Sequence, residues 1–175
     1  LGLRIDEIEG RYRERAKARL MLPNEEQAEI HRNRAYRLFE ECRVKDALLE
    51  LKESLKHDAR DAPSLRLLAQ IFGEAGYHEP AVSYAQRAVA EDYTNEESWL
   101  TLITLFARLG GPYLDLALEQ VEMAKQMLGE NANVMYLEGN VYGQKGDKKL
   151  AAECMKKALE LDPSHAQADN DLKAL

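Results

Sequence analysis

A helix–turn–helix pattern that recurs about every 34 residues constrains this chain more than any other feature of its sequence. The pattern divides the chain into four units, residues 28–61, 62–95, 96–131 and 132–165. The third unit is two residues longer than the others because Gly110-Gly111-Pro112 enlarges its internal turn. A recurrence of this length predicts stacked helical units, since one such unit is too small to bury its apolar face alone.

Small residues recur in phase with this pattern. The second helix of each unit opens with an alanine, at Ala47, Ala81, Ala117 and Ala151. We expect these alanines to be buried at helix crossings, where a small side chain lets two helix axes approach closely. The internal turns contain Gly76, Gly110 and Gly146, with Cys42 at this place in the first unit. Glu138 interrupts the apolar face of its helix, where the second and third units have leucine.

The last unit, with Gly139, Tyr142, Gly146, Ala151, Ala158 and Pro163 at the recurring spacings, resembles the tetratricopeptide repeat, TPR. The resemblance implies an all-α fold, a right-handed α-solenoid of four TPR helix–turn–helix repeats. An N-terminal helix would precede the repeats, and a short C-terminal capping helix in residues 166–175 would follow them. Leu172 and Leu175 are then expected to cover the exposed end of the last repeat.

Residues 1–27 read as an N-terminal amphipathic, basic helix and a linker. Residues 1–22 contain six basic and four acidic side chains, a local charge of +2. Ile5, Ile8, Tyr12 and Leu20 recur at helical spacing, so we expect this segment to pack on the first repeat or on a second copy of the chain. Self-association through the N-terminal helix is therefore a prediction.

Composition excludes several classes of function. A net charge of -7 argues against nucleic acid as a partner, because phosphate binding needs surplus lysine and arginine. No apolar run reaches the roughly 18 residues of a membrane-spanning helix. Cys42 and Cys154 lie in different units, so we expect two free thiols and favour a cytoplasmic location. Because the sequence starts at Leu1, membrane association would require a segment upstream.

Catalytic and metal-binding patterns are not found. The four histidines lack the spacing of metal ligands on one helix face, and adjacent glutamates point in different directions on a helix. His57 and His165 lie near repeat ends, where a helix C-terminus favours a cation. No phosphate loop, nucleophile elbow or Cys-His motif occurs. The sequence therefore predicts no enzyme, no cofactor and no metal.

A candidate binding surface follows from the helical period and the family resemblance. In proteins of the TPR kind, the first helices line a concave groove, and one stripe of their residues meets the ligand. The corresponding stripe is Arg32, Tyr36, Arg66, Gln70, Leu100, Thr104, Arg108, Tyr136, Asn140 and Gln144. We expect its arginines to engage carboxylates, its amides to pair with a peptide backbone, and Arg66 and Arg108 to be exposed.

The sequence thus predicts a protein-interaction scaffold that holds a peptide or partner protein, acidic or with a free C-terminus, in the groove. The lysine and asparagine pattern of chaperone adaptors is not met, so we predict no Hsp70 or Hsp90 adaptor. Two alternatives remain open from the sequence. The chain could be the soluble domain of a membrane-tethered assembly or secretion factor, or the regulatory repeat domain of a larger enzyme.

Overall fold

A computed structural model describes residues 24–174 of the protein. This part of the chain contains nine α-helices and no strand, which confirms the predicted all-α class. The helices are α1 (Asn24–Glu40), α2 (Val44–His57), α3 (Ala62–Glu74), α4 (His78–Glu91), α5 (Glu96–Leu109), α6 (Tyr113–Leu128), α7 (Ala132–Gln144), α8 (Lys148–Leu161) and α9 (Ala166–Ala174). The predicted N-terminal helix and Leu175 lie outside the described residues.

The described part of the chain forms two compact units, with the boundary between Asp61 and Ala62. In the first unit α1 packs against α2. In the second unit α3 packs against α4, α5 against α6 and α7 against α8, while α9 packs on α8. Each first helix of the second unit also contacts the first helix of the next pair, α3 with α5 and α5 with α7.

The crossing within each pair is made by residues with almost no side chain. Ala47, Ala81, Ala117 and Ala151 are all fully buried, as the repeat pattern predicts. At Gly139 the helices come so close that an added Cβ would lie 3.0 Å from the backbone oxygen of Ala151. The close approach therefore depends on small residues on both helices.

The turns inside the pairs require left-handed backbone. Gly76 and Gly146 have φ of 80° and 86°, values that glycine adopts without steric strain. Cys42 occupies the same place in the first unit, with φ of 60°. The exposed Cys42 is thus the one described non-glycine residue with positive φ.

A buried ion pair joins α6 to α7. The Lys125 ammonium lies 2.7 Å from a carboxylate oxygen of Glu138, whose side chain is only 8% exposed. Burial works to lower the pKa of Lys125, but the hydrogen bonds and charges of Glu138 and Glu122 outweigh it and raise that pKa. Glu138 and Lys125 both depart from the repeat pattern, because Leu102 and Val89, respectively, hold the equivalent places one repeat earlier. Lys125 supplies the cation that the buried Glu138 carboxylate requires.

Burial also controls the chemistry of Cys154, which lies beside Glu138. Burial, and then the charge of Glu138 together with a hydrogen bond to it, raise the pKa of the Cys154 thiol to about 12. Cys154 is therefore a neutral thiol at physiological pH, and the exposed Cys42 is the thiol open to alkylation.

Enlarging the crossing alanines is expected to destabilise the second unit. Ala81→Leu and Ala117→Leu should each lower the free energy of unfolding by about 1–3 kcal/mol, because the crossing has no room for a larger side chain. Urea denaturation measures the loss. Ala90→Leu, at an exposed site of α4, is the matched control and should leave the midpoint nearly unchanged. Equal midpoints for all three variants would contradict the assignment of the crossing residues.

The Lys125–Glu138 pair gives a second stability prediction. Lys125→Leu alone should destabilise by about 3 kcal/mol, because it leaves the buried Glu138 carboxylate without its cation. Lys125→Leu combined with Glu138→Leu should recover most of that loss, because it restores the apolar pairing found one repeat earlier. Urea denaturation of both single variants and the double variant forms the cycle that measures the coupling. Additive losses would show that the two side chains do not depend on each other.

Candidate partner-binding groove

A cavity of about 430 Å³ lies in the second unit between α5, α7 and α9. It contains six of the ten residues predicted from sequence: Leu100, Thr104, Arg108, Tyr136, Asn140 and Gln144. Its other lining residues are Ala107, Asn133, Leu137 and Gln167. We call this cavity the α5–α7 groove. Its volume is in the range of small-ligand or peptide side-chain sites in proteins.

The walls of the α5–α7 groove combine apolar area with uncharged hydrogen-bonding groups. Leu100, Ala107 and Leu137 supply the apolar part. The side-chain amide of Gln144 donates to the Asn140 side-chain oxygen at 2.8 Å, so the two amides support each other's orientation. Groups of this kind offer donors and acceptors to a peptide backbone and carry no net charge.

Arg108 is the charged residue of the groove lining. Its side chain is exposed, and it has no hydrogen bond or ion pair within residues 24–174. Its guanidinium therefore retains all five N–H donors for an anionic group in solution.

The prediction that Arg66 is also exposed is wrong. Its side chain is only 12% exposed, and its guanidinium lies 2.6 Å from a Glu97 carboxylate oxygen. It also donates to the Asn95 side-chain oxygen at 3.3 Å. That same oxygen accepts the backbone N–H of Ser98 and so caps α5. Arg66 thus ties α3 to the start of α5 and is part of the scaffold.

Arg32 has the corresponding role in the first unit. It donates to the Asp61 carboxylate at 2.5 Å, across 29 residues of sequence, and Arg66 and Asn95 have the same separation. Tyr136 and His165 are also 29 residues apart, and their ring centroids lie 5.0 Å from each other. At this position of the stripe, the side chain of a first helix therefore contacts the residue that immediately precedes the first helix of the following repeat.

Leu100 occupies the same stripe position in α5, and it has no polar group to make that contact. The α5–α7 groove opens at this place. The groove thus lies where a leucine stands at the stripe position that arginine holds in α1 and α3.

The remaining predicted residues do not line the α5–α7 groove. Gln70 is exposed on α3 and donates to the Glu74 carboxylate at 2.9 Å. Tyr36 and Arg32 are half-buried on α1, in the first unit. Their role in ligand binding stays a prediction.

The end of the groove is formed by α9. The Tyr136 hydroxyl donates to the Asp171 carboxylate at 2.9 Å. Burial, and then the Asp171 carboxylate, raise the pKa of Tyr136. Gln167 reaches the groove from the first turn of the same helix. The residues predicted from sequence do not include Gln167 or Asn133. These two residues are 34 positions apart, so extending the repeat period into residues 166–175 identifies Gln167 as the equivalent of Asn133.

His165 precedes α9, and the sequence-based interpretation of this residue is wrong. The sequence places it near a helix C-terminus, where a cation is favoured. Instead, His165 Nδ1 accepts the backbone N–H of Ala168 at 3.1 Å and so caps the N-terminus of α9. A helix N-terminus disfavours a cation.

Residues 24–174 contain neither a candidate metal site nor a candidate membrane-spanning helix. No group of three or more histidine, cysteine, aspartate or glutamate residues in this range is arranged to hold a metal ion. None of the described helices is both long enough and apolar enough to span a membrane.

The helix pairs and the groove between successive first helices define a protein built of helical repeats. Residues 132–165 match the family model of the tetratricopeptide repeat, which confirms the predicted resemblance. No curated protein sequence matches the chain.

Solved structures with the same fold extend this result. TTC0263, a thermophilic TPR protein of Thermus thermophilus, superposes with a TM-score of 0.69 at 22% identity, over 83% of this chain and 80% of that one. Pseudomonas aeruginosa pilF gives 0.76 at 18% identity, over 86% and 68%. A chain of the APC/C hetero-tetramer Cut9–Hcn1 gives 0.69 at 18% identity, over 84% and 29%. At these identities the similarity shows a shared fold.

The two arginines of the second unit are expected to respond differently to truncation. Arg66→Ala should destabilise the protein by about 1–2 kcal/mol, because it removes charge-assisted hydrogen bonds to Glu97 and Asn95. Arg108→Ala, on an exposed and unpaired side chain, should change stability by less than about 0.5 kcal/mol. Thermal or urea unfolding of both variants tests the difference. Equal stability of the two would contradict the scaffold role of Arg66.

Proposed function

We propose that the protein is a non-enzymatic adaptor that holds a peptide segment of a partner protein in the α5–α7 groove. The observation that supports this most is the combination in a single cavity of apolar residues, uncharged amides and one arginine that has no partner among residues 24–174. A preformed surface of this kind binds without chemical change to its ligand. The protein assembly Cut9–Hcn1, which contains a chain of this fold, supports the same class of function.

The charge of the groove favours an acidic ligand. Arg108 is its charged lining residue, on a chain whose net charge is -7. A local cation on an acidic protein steers a carboxylate to one place on the surface. The carboxylate would come from an aspartate or glutamate side chain or from a free C-terminus, since a guanidinium binds both in the same geometry.

The uncharged residues of the groove indicate which other groups the ligand contains. Leu100 and Leu137 offer a surface for one apolar side chain, and Tyr136 adds a flat ring with a polar tip. Thr104, Asn140 and Gln144 line the same groove and supply hydrogen bonds to a peptide backbone. The ligand is therefore a short segment with an apolar residue and a nearby carboxylate.

An array of immobilised peptides tests this function directly. The array varies an apolar residue and an acidic residue at several separations, and each peptide is present with a free and with an amidated C-terminus. Binding by acidic members is expected, and loss upon amidation alone would assign the carboxylate to the C-terminus. Absence of binding to every acidic member would contradict the proposed function.

Arg108→Glu is expected to weaken the best peptide more than tenfold, above about 1.4 kcal/mol, because it replaces attraction by repulsion at the carboxylate. The protein should remain folded, since Arg108 is exposed. Lys156→Glu makes the same change of charge at an exposed site of α8 outside the groove and serves as the matched control. Fluorescence anisotropy with the labelled peptide measures both. A similar loss of affinity in the two variants would mean that net charge, and not the groove, determines binding.

A further inference from the structure

The cap of α9 differs chemically from the caps of the two first helices before it. Asn95 caps α5 and Asn131 caps α7, each through a side-chain oxygen that accepts a backbone N–H three residues ahead. In the following repeat this place belongs to His165, and a ring nitrogen is the acceptor. An amide oxygen keeps its lone pairs at any physiological pH, whereas imidazole is the side chain that titrates between pH 5 and 8.

The contacts of His165 define its tautomer. Asn133 donates its side-chain amide to the Glu96 carboxylate at 2.7 Å, so its oxygen is the atom that faces His165. That oxygen lies 3.2 Å from His165 Nε2, which must therefore carry the ring proton and donate. Nδ1 then holds the lone pair that accepts the Ala168 N–H at 3.1 Å. The capped structure requires the neutral imidazole.

Protonation of His165 would disrupt this arrangement. It places a second N–H on Nδ1, which then faces the N–H of Ala168, and two donors cannot share a hydrogen bond. It also places a positive charge at the N-terminus of α9, which the helix dipole disfavours. His165 is only 8% exposed, so water cannot readily separate the two donors.

The charged groups around His165 have other partners. On α9, Asp169 lies 2.5 Å from the Lys173 ammonium, and Asp171 accepts the Tyr136 hydroxyl. In the preceding turn, Asp162 accepts the backbone N–H and the hydroxyl of Ser164, and its carboxylate also interacts electrostatically with the His165 ring. From α5, Glu96 reaches the ring through Asn133. The hydrogen bond at Nδ1, where the added proton would sit, is made with the Ala168 N–H and not with any of these carboxylates.

We infer that His165 is a pH-sensitive cap: its protonation releases α9 from the end of the α5–α7 groove and so weakens ligand binding at acidic pH. The inference rests on the proposed function for its binding step, because α9 contributes Gln167 to the groove and holds Tyr136 through Asp171. The sign follows from proton linkage. The docked state of α9 excludes the extra proton and the released state accepts it, so docking is stronger at higher pH.

The test of the cap itself needs no ligand. Hydrogen exchange of the α9 backbone amides is measured at pH 7.5 and pH 5.5 and corrected for the intrinsic pH dependence of exchange. In the wild type, α9 protection relative to α7 should fall severalfold at pH 5.5, with about tenfold as the limit that proton linkage sets for an imidazole between these two pH values. His165→Asn, which installs the cap used at Asn95 and Asn131, should keep the ratio constant. His78→Asn, at an exposed histidine of α4, should behave like the wild type. The same pH dependence in the wild type and in His165→Asn, or none in either, would overturn the inference.

The binding step is tested with the best acidic peptide from the array. Its affinity for the wild type should fall from pH 7.5 to pH 5.5 by no more than the factor measured for α9 protection, while its affinity for His165→Asn should change much less. The peptide carboxylate remains mostly ionised at pH 5.5, so the ligand itself contributes little. Release of α9 without a change in affinity would overturn the link between cap and groove. If no peptide binds at either pH, the proposed function fails, and the exchange data alone decide whether His165 is a pH-sensitive cap.

Discussion

The close contact of paired helices through alanine and glycine is the constraint on which the rest of this structure depends. At such a crossing two backbones meet with little side-chain volume between them, so the larger residues of each helix are directed to the spaces between pairs. Trp99, for example, is almost fully buried and donates its indole N–H to the backbone oxygen of Tyr93, at the end of the preceding pair. Because the crossings of the second unit recur in register, its successive first helices lie side by side, and a groove between them becomes available for binding.

Most of the fold could be predicted from the sequence, because the period repeats the same steric requirement. Ala81 and Ala117 are weak signals alone, but residues of the same size at the same place in each unit indicate a shared crossing. The turn glycines could be assigned for the same reason. Glu138 could be recognised as a departure from the pattern, but its partner Lys125 could not. The pairing depends on which two helices of neighbouring pairs meet, and the sequence of either helix alone does not state this.

The site was less predictable than the fold. The helical period correctly places Leu100, Thr104, Arg108, Tyr136, Asn140 and Gln144 along one face, and the structure brings these six together. It does not distinguish an arginine that reaches solvent from one that reaches the next helix. Arg66 and Arg108 are one residue type on one predicted stripe, yet Arg66 is paired and Arg108 is exposed. The difference lies in the residues opposite each arginine: Asn95 and Glu97 pair with Arg66, and no described residue forms a hydrogen bond or ion pair with Arg108.

The replacement of arginine by leucine at position 100 has a consequence for how such a protein can change during evolution. Position 100 lies outside the set of alanines and glycines that makes the helix crossings, so a substitution there leaves the architecture of the pairs intact. At the equivalent position of α3, Arg66 joins two repeats, whereas Leu100 lines an open groove. A recognition site can therefore be closed at one step of a repeat array and opened at another by exchanging single side chains, without a new fold or a new loop.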